Sequence, residues 1–312
     1  MDGKNLPLVS VPVITYNSSA TVIETLDSIY NQTYPNIELI VSDDCSTDNT
    51  VELCREWIES HKERFARTEL LTVEKNTGVA GNCNRSGAAC RGEWSKGIAG
   101  DDILMPNCIQ DCVDYVTVHP DTIWLFGKME GFGRSQDDVD EYMNKCYNYS
   151  FFQLQPEEQL RYLTFKGNCL PAPAAFVNIE GNKNTGVVND ERIPMLEDHP
   201  KWINLIRAGV KLHFIDKTIV KYRLSDNSLS TTTKPNPKAV KSKALFTVYY
   251  TCPLMWQFGK KGLAIHKYIN AAPEAFGGMF WKSVYKIDRI LTKTLIKCGV
   301  VKSGSARREF GA

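Results

Sequence analysis

Hydrophobic and polar positions alternate along the first hundred residues in short, separate blocks. Leu8–Ile14 (LVSVPVI) is an apolar, β-branched run that predicts a buried strand, and it breaks off into Thr15-Tyr16-Asn17-Ser18-Ser19. Over Thr21–Asn31 the apolar positions fall at Val22, Ile23, Leu26, Ile29 and Tyr30, the spacing of one helical face. Glu38–Ser42 (ELIVS) predicts a second strand, which stops at Asp43-Asp44-Cys45-Ser46-Thr47-Asp48. From Asn49 a second amphipathic helix carries Val51, Cys54, Trp57 and Ile58. Leu70–Val73 predicts a third strand, Gly78–Cys90 a third helix rich in small residues, and Ser95–Ala99 a fourth strand that runs into Gly100-Asp101-Asp102. Trp124–Ser135 (WLFGKMEGFGRS) predicts a further strand followed by a glycine-bearing loop.

Strands alternating with helices at this spacing build an α/β protein whose sheet is mostly parallel, with right-handed crossovers. In open sheets of this kind ligands sit beyond the carboxyl ends of the strands. Three of those ends carry polar or acidic groups to one edge: Thr15-Tyr16-Asn17, Asp43-Asp44 and Asp101-Asp102. Adjacent carboxylates such as Asp101 and Asp102 repel unless a positive charge sits beside them, and Mg²⁺ or Mn²⁺ with its preference for oxygen ligands is a usual partner. The plain alternative is an Asp-rich turn or a helix cap ahead of Pro106. No GxGxxG follows the first strand, which sets a dinucleotide-dependent oxidoreductase aside.

Composition narrows the picture further. With 312 residues, 43% hydrophobic and 23% charged, the chain has the makings of a globular protein with a sizeable core. Its 37 basic and 36 acidic side chains leave a net charge of +1, so no global field draws nucleic acid. The ten cysteines show no framework of close pairs, and Cys108/Cys112 lacks a matching pair for a zinc site, so reduced thiols of a cytoplasmic protein are expected. The opening MDGKNLPLVSVPVITYN does not read as a signal peptide, and no apolar run approaches a bilayer span.

VSVPVITYN, IYNQTYPNIELIVSDDCSTDNT, NTGVAGNCN, the GDD and the later EDHPKW resemble, in order and spacing, the family-two inverting glycosyltransferases of GT-A fold, particularly bacterial enzymes of surface-polysaccharide synthesis. The similarity covers about the first 230 residues. It implies a Rossmann-like, mostly parallel sheet flanked by helices, with residues 1–230 as the catalytic domain. Within it, about 1–125 would bind the nucleotide sugar, most naturally a UDP-sugar, and about 126–230 would face the acceptor, while 231–312 would form a linker and a helical C-terminal extension.

Carried over residue by residue, the resemblance places Asp44 against the base, with Ile14, Thr15 and Tyr16 completing that pocket. An ionised carboxylate, which only accepts hydrogen bonds, suits an imide N–H. Asn76 and Gly78 match a donor-side loop. Where relatives often have Arg-Asn this chain has Cys83-Asn84, so a guanidinium contact is either missing or supplied by Arg85. Asp101 would contact ribose or diphosphate, and Asp102 would ligate Mn²⁺ or Mg²⁺. Glu197-Asp198, in MLEDHPKWINLIRAG, match an element at a helix start, with Asp198 as general base and Glu197 orienting it or touching the acceptor. Read without the resemblance, the two acids simply suit the first turn of a helix. Gly167–Val177 (GNCLPAPAAFV) resembles a tight wall near the acceptor. One departure stands out. YRLSDNSLS resembles YRxHxxSxS, whose histidine often completes the metal shell, but the position is Ser225, so Asp226 substitutes, water fills the place, or metal dependence is weaker.

Thr231–Lys241 (TTTKPNPKAVK) reads as a linker, and Ala244–Phe258 as an aromatic, apolar segment that packs on the catalytic domain. In Trp281–Lys302, Lys282, Lys286, Arg289, Lys293 and Lys297 share one helical face, with Val284, Ile287, Leu291, Leu295 and Cys298 on the other. That is either a membrane-surface helix at the cytoplasmic face of the inner membrane or a helix packing its apolar side on the protein. The expected activity is transfer from a nucleotide sugar to a saccharide or lipid-linked saccharide acceptor. The alternative is a nucleotide-sugar-binding protein of the same fold without turnover. Nucleotidyl transfer would call for a glycine-rich basic loop after the first strand, which the sequence lacks.

Overall fold

The computed structural model describes residues 6–224 and 236–278, together with 284–286 and 289. In chain order the elements are β1 (Val9–Thr15), α1 (Val22–Tyr30), β2 (Ile37–Asp43), α2 (Thr50–His61), β3 (Arg67–Leu71), α3 (Gly78–Ala89), β4 (Trp94–Ser95), β5 (Ile98–Ala99), β6 (Ile103–Leu104) and α4 (Cys108–Val118). Then follow β7 (Trp124–Phe132), α5 (Gln136–Cys146), α6 (Pro156–Phe165), β8 (Ala175–Asn178), α7 (Ile179–Thr185), α8 (Asp198–Arg207), β9 (Leu212–Arg223), α9 (Pro237–Phe246), α10 (Cys252–Gln257) and α11 (Lys261–Phe276).

One nine-stranded sheet runs in the order β3-β2-β1-β4-β8-β7-β9-β6, with β5 also on β1. β1 pairs in parallel with β2, β4 and β5, β2 with β3, and β7 with β9. The antiparallel pairs are β4 with β8, β8 with β7, and β6 with β9. This is the α/β, mostly parallel sheet flanked by helices that the sequence predicts. β1 and β2 are covered on both faces, which is why they read as continuous apolar runs rather than alternating ones. Among the polar residues buried inside them is Glu38, whose carboxylate takes Ser10 Oγ (2.5 Å), Arg67 Nη1 (2.9 Å) and the Arg91 N–H (2.6 Å).

Two buried clusters hold the sheet. One packs Val9, Leu39 and Val41 against Leu26, Ile29, Trp57, Ile109 and Val113. The other joins Trp124 and Phe126 of β7 to Trp202 and Leu205 of α8 and to Phe246, Val248 and Leu254. The aromatic segment after residue 243 thus shares a core with the helix that begins at Asp198.

Several boundaries differ from those the sequence predicts. The third strand starts at Arg67, earlier than Leu70, because Arg67 and Thr68 pair with Glu38 and Leu39. The fourth is broken in two at Lys96-Gly97, where the backbone leaves β1 between the two short pairings. Pro237–Phe246 is helical where Thr231–Lys241 reads as a linker. Pro237 occupies the first turn, where its missing N–H is no loss, and the Asn236 side chain accepts from Lys238 N. Ser225, Asp226 and the rest of 225–235 lie outside the described residues. So does the basic segment 281–302, apart from 284–286 and 289.

Candidate active site

The ends of β1 and β2 are knotted together by short polar contacts. Asp44 N donates to Thr15 O (3.0 Å), and Thr15 Oγ1 to Asp43 Oδ2 (2.9 Å). Asn17 and Cys45, just past the two strands, have φ of 52° and 68°, left-handed values that non-glycine residues rarely adopt. Asn17 is held there by its Oδ1, which accepts from Thr47 N (2.8 Å). Tyr16 is left exposed beside this knot.

Asp44 is buried, and four donors converge on its carboxylate. Thr77 N–H (3.0 and 3.1 Å to the two oxygens), Thr77 Oγ1 (2.6 Å), Gly78 N–H (2.8 Å) and Arg85 Nη2 (3.1 Å) supply them. Burial alone would raise its pKa, but these hydrogen bonds from Thr77, Arg85 and Gly78 hold it below the usual carboxylate range. Asn76 Nδ2 adds a bond to Asp44 O (3.1 Å). Gly78 has φ of +83°, and a Cβ there would stand 2.8 Å from Pro194, so this turn takes glycine for both conformation and room. Arg85, one or two positions on from Cys83-Asn84, turns its guanidinium to the Asp44 carboxylate and also donates to Ser42 Oγ (3.0 Å) and Asn82 Oδ1 (2.8 Å).

The GDD turn hangs on β1 and α1. Gly100 N donates to Ile14 O (2.9 Å), Thr21 Oγ1 to Gly100 O (2.7 Å) and Thr25 Oγ1 to Asp102 O (2.7 Å). Asp102 is 1% exposed. Its Oδ1 accepts the Arg223 N–H from the end of β9 (2.9 Å), while its Oδ2 is buried with no hydrogen-bond partner. The Arg223 side chain reaches back to Asp101 O (2.8 Å) and Glu24 (2.5 Å). Burial, and then the Asp101 charge beside it, push the Asp102 carboxyl up to about 8.

Among the described residues no three His, Cys, Asp or Glu side chains gather as a complete metal site. The unpartnered oxygen of Asp102 next to a second carboxylate nevertheless fits a cation held by one or two protein oxygens, with substrate phosphates and water as the remaining ligands.

Behind the sheet edge opens a cavity of about 820 Å³, lined among others by Ile14, Ala99, Asn168, Pro173, Asp198 and Lys201. Glu197 also lines it; Thr15, Tyr16, Asp44, Asn76, Gly78, Asp101 and Asp102 do not. Asp198 opens α8. Its Oδ1 accepts His199 N (2.6 Å) and its Oδ2 accepts Asn168 Nδ2 (2.5 Å). Glu197 and Asp198 keep some exposure to the cavity but lie deep in the protein. Burial, and then its neighbour's charge, push Glu197 up to about 7, and burial raises Asp198 as well against the pull of the two donors and Lys201. Lys201, a turn further on, lies over the Trp124 ring (5.4 Å). His199, pushed down to about 4 by burial, is a neutral packing residue that meets Leu163 O (3.0 Å) and the Phe246 ring.

The sequence gives little sign of two residues here. Asn168 is a lone amide in a loop. Lys96 is fully buried at the break between β4 and β5, and its Nζ donates to Gly97 O (2.9 Å) and Pro173 O (2.5 Å), tying one wall of the cavity to the other.

An α/β sheet whose strand ends carry acidic turns, beside a cavity with its own carboxylate pair, defines a glycosyltransferase of GT-A-like fold. The chain belongs to the Glycosyl transferase family 2, whose profile matches residues 10–177, more than half of its length. Curated relatives include the uncharacterized glycosyltransferase MJ1057 of Methanocaldococcus jannaschii, 24% identical over 293 residues (93% of this chain, 91% of that one). Another is the UDP-Glc:alpha-D-GlcNAc-diphosphoundecaprenol beta-1,3-glucosyltransferase WfaP of Escherichia coli, 24% identical over 226 residues (72% and 80%). Among solved structures, S. aureus TarS 1-349 in complex with UDP-GlcNAc superposes with a TM-score of 0.62 at 16% identity, over 94% of this chain and 92% of that one. Mannosyltransferase PcManGT of Pyrobaculum calidifontis, in complex with GDP-Man and Mn²⁺, gives 0.54 at 16%, over 97% and 84%.

Proposed function

We propose that the protein transfers a sugar, with inversion, from a UDP-sugar to a hydroxyl of a lipid-linked saccharide during surface-polysaccharide synthesis at the cytoplasmic face of the inner membrane. The observation that carries this reading is the Asp198 carboxylate, fixed by Asn168 and open to a cavity that reaches the ends of β1 and β5 at Ile14 and Ala99. Nucleotide binds at the strand ends, with Tyr16 and the Asp44 loop around the base and Asp101 toward ribose or diphosphate. Asp44 already has most of its lone pairs taken, so an imide N–H bonds it only where Thr77 or Arg85 yields. Asp102 would hold Mn²⁺ or Mg²⁺, which supplies charge neutralisation for the departing diphosphate. From the other side Asp198 takes the acceptor proton as the hydroxyl attacks. Glu197, neutral or charged near pH 7, hydrogen-bonds the acceptor, and Lys201 tempers both carboxylates.

The donor names of the relatives differ in base, UDP for WfaP and TarS and GDP for PcManGT. The test is incubation with a panel of UDP- and GDP-sugars and an undecaprenyl-diphosphate-linked GlcNAc acceptor, following nucleotide release and product. Transfer from a UDP-sugar is expected. Binding without turnover across the panel would favour a nucleotide-sugar-binding protein, and turnover confined to GDP-sugars would overturn the donor assignment.

A further inference from the structure

The described C-terminal helices present aromatic and aliphatic side chains outward. Trp256 of α10 and Ile265 of α11 are half exposed, and Tyr249 and Phe276 are exposed as well, their rings 6.3 Å apart in an edge contact. Cations lie on two of these rings, Lys261 over Trp256 at 5.4 Å and Arg192, itself paired with Asp190, over Tyr249 at 4.7 Å. Ile265 follows Lys261 by one helical turn, on the same side of α11. Val188, 68% exposed, lines the cavity and lies four residues before Arg192 in the same loop. Single exposed apolar residues need no explanation. Rings that each carry a cation are another matter, since that pairing suits the level of lipid headgroups, with the ring toward the acyl chains and the cation on phosphate.

Charge points the same way. Residues 279–312, which follow directly on α11, hold eight basic side chains (Lys282, Lys286, Arg289, Lys293, Lys297, Lys302, Arg307, Arg308) against Asp288 and Glu309, a net +6. The whole chain is +1, so residues 1–278 are net −5. The basic excess of the protein therefore lies in the stretch of sequence that follows Phe276 and Gly277-Gly278. A second copy of the chain on that face would bring two +6 segments together, whereas an anionic bilayer complements them. Among the described residues no helix is long and apolar enough to cross a membrane.

We propose that the outward face of α10 and α11, with Tyr249, Trp256, Ile265 and Phe276 at its centre, docks on an anionic lipid surface and turns the cavity mouth at Val188 toward it. This extends the acceptor class of the proposed function to the route by which such an acceptor arrives. Binding is read without turnover, so the two readings fail separately.

The experiment is co-sedimentation of the full chain with phosphatidylcholine vesicles, with and without phosphatidylglycerol. Binding to the anionic vesicles, loss of it at high salt, and little binding to neutral ones are expected. The double variant Trp256→Ser/Ile265→Glu, checked for native circular dichroism, should bind the anionic vesicles at least about tenfold more weakly. Should it not fold, Lys261→Glu, which reverses the cation on Trp256, carries the same expectation. Wild-type binding by these variants would assign the affinity to residues 279–312 alone and overturn the proposal. Absence of binding to anionic vesicles, or binding indifferent to lipid charge, would overturn it as well.

Discussion

Asp44, proposed as the contact to the base, is also a structural nail. Its oxygens gather the 76–78 turn and Arg85, so Asp44→Ala releases that turn along with any bond to the base. Hydrogen bonds to charged groups contribute about 1.5–3 kcal/mol, so UDP affinity measured by calorimetry should fall roughly 10- to 100-fold. Thr77→Val removes only the hydroxyl donor and should leave that affinity within about threefold, since the vacated lone pair suits an imide N–H. Unchanged affinity in Asp44→Ala would remove the carboxylate from the nucleotide site. Lys96 is the residue the sequence hides best, because a lysine between two strand pieces reads as solvated. Lys96→Met deprives the Gly97 and Pro173 carbonyls of their donor and should cost about 1–3 kcal/mol, visible as a lowered Tm.

At the scale of elements, the first strands and helices were legible because a buried parallel strand and an amphipathic helix leave opposite periodicities in the chain. β9 was not read, because LHFIDKTIVKYR mixes buried and exposed positions as it passes from β7 to β6. α4 and α9 are hidden in the sequence for other reasons. In α4 the cysteines drew attention as thiols, although Cys108, Ile109, Cys112, Val113 and Val116 make a buried helical face. In α9 a helix-starting proline looked like linker. The pairing of Asp198 with Asn168 was beyond the sequence, since it joins a loop to a helix start thirty residues away.

The start of α8 also carries a pH signature. The Glu197 pKa is raised in the fold, so the folded state binds the extra proton. This contribution to stability is fully present below about pH 4.5 and is lost as pH rises to about 7. Glu197→Gln cannot ionise and should therefore unfold at a higher temperature than the wild type above pH 7, with the gap closing toward pH 4.5. A gap that does not change with pH would contradict the burial argument.

On the scale of the whole molecule, the fold sets the acidic strand-end turns and the Asp198 cavity close to β1 and β5, the two sites proposed for nucleotide and acceptor, with a second core joining the C-terminal helices to α8. Two carboxylate pairs, Asp101-Asp102 and Glu197-Asp198, are held partly buried without protein cations to neutralise them fully, an arrangement more useful to a ligand than to stability. UDP with Mn²⁺ should therefore raise Tm more than UDP alone, in proportion to RT ln(1 + [L]/Kd). Excess chelator should abolish turnover, and full turnover in chelator would show that Asp102 holds no required cation.

The most direct test of the account is single-turnover transfer by Asp198→Asn beside the wild type, with UDP-sugar affinity measured on both. The substitution keeps the size and shape of the side chain at the helix start but removes the proton acceptor, and its single amide oxygen accepts from either Asn168 Nδ2 or His199 N rather than both. Affinity should be retained while transfer falls by about 10²–10⁴-fold, the range of general-base catalysis. Near-normal transfer by Asp198→Asn would contradict the account.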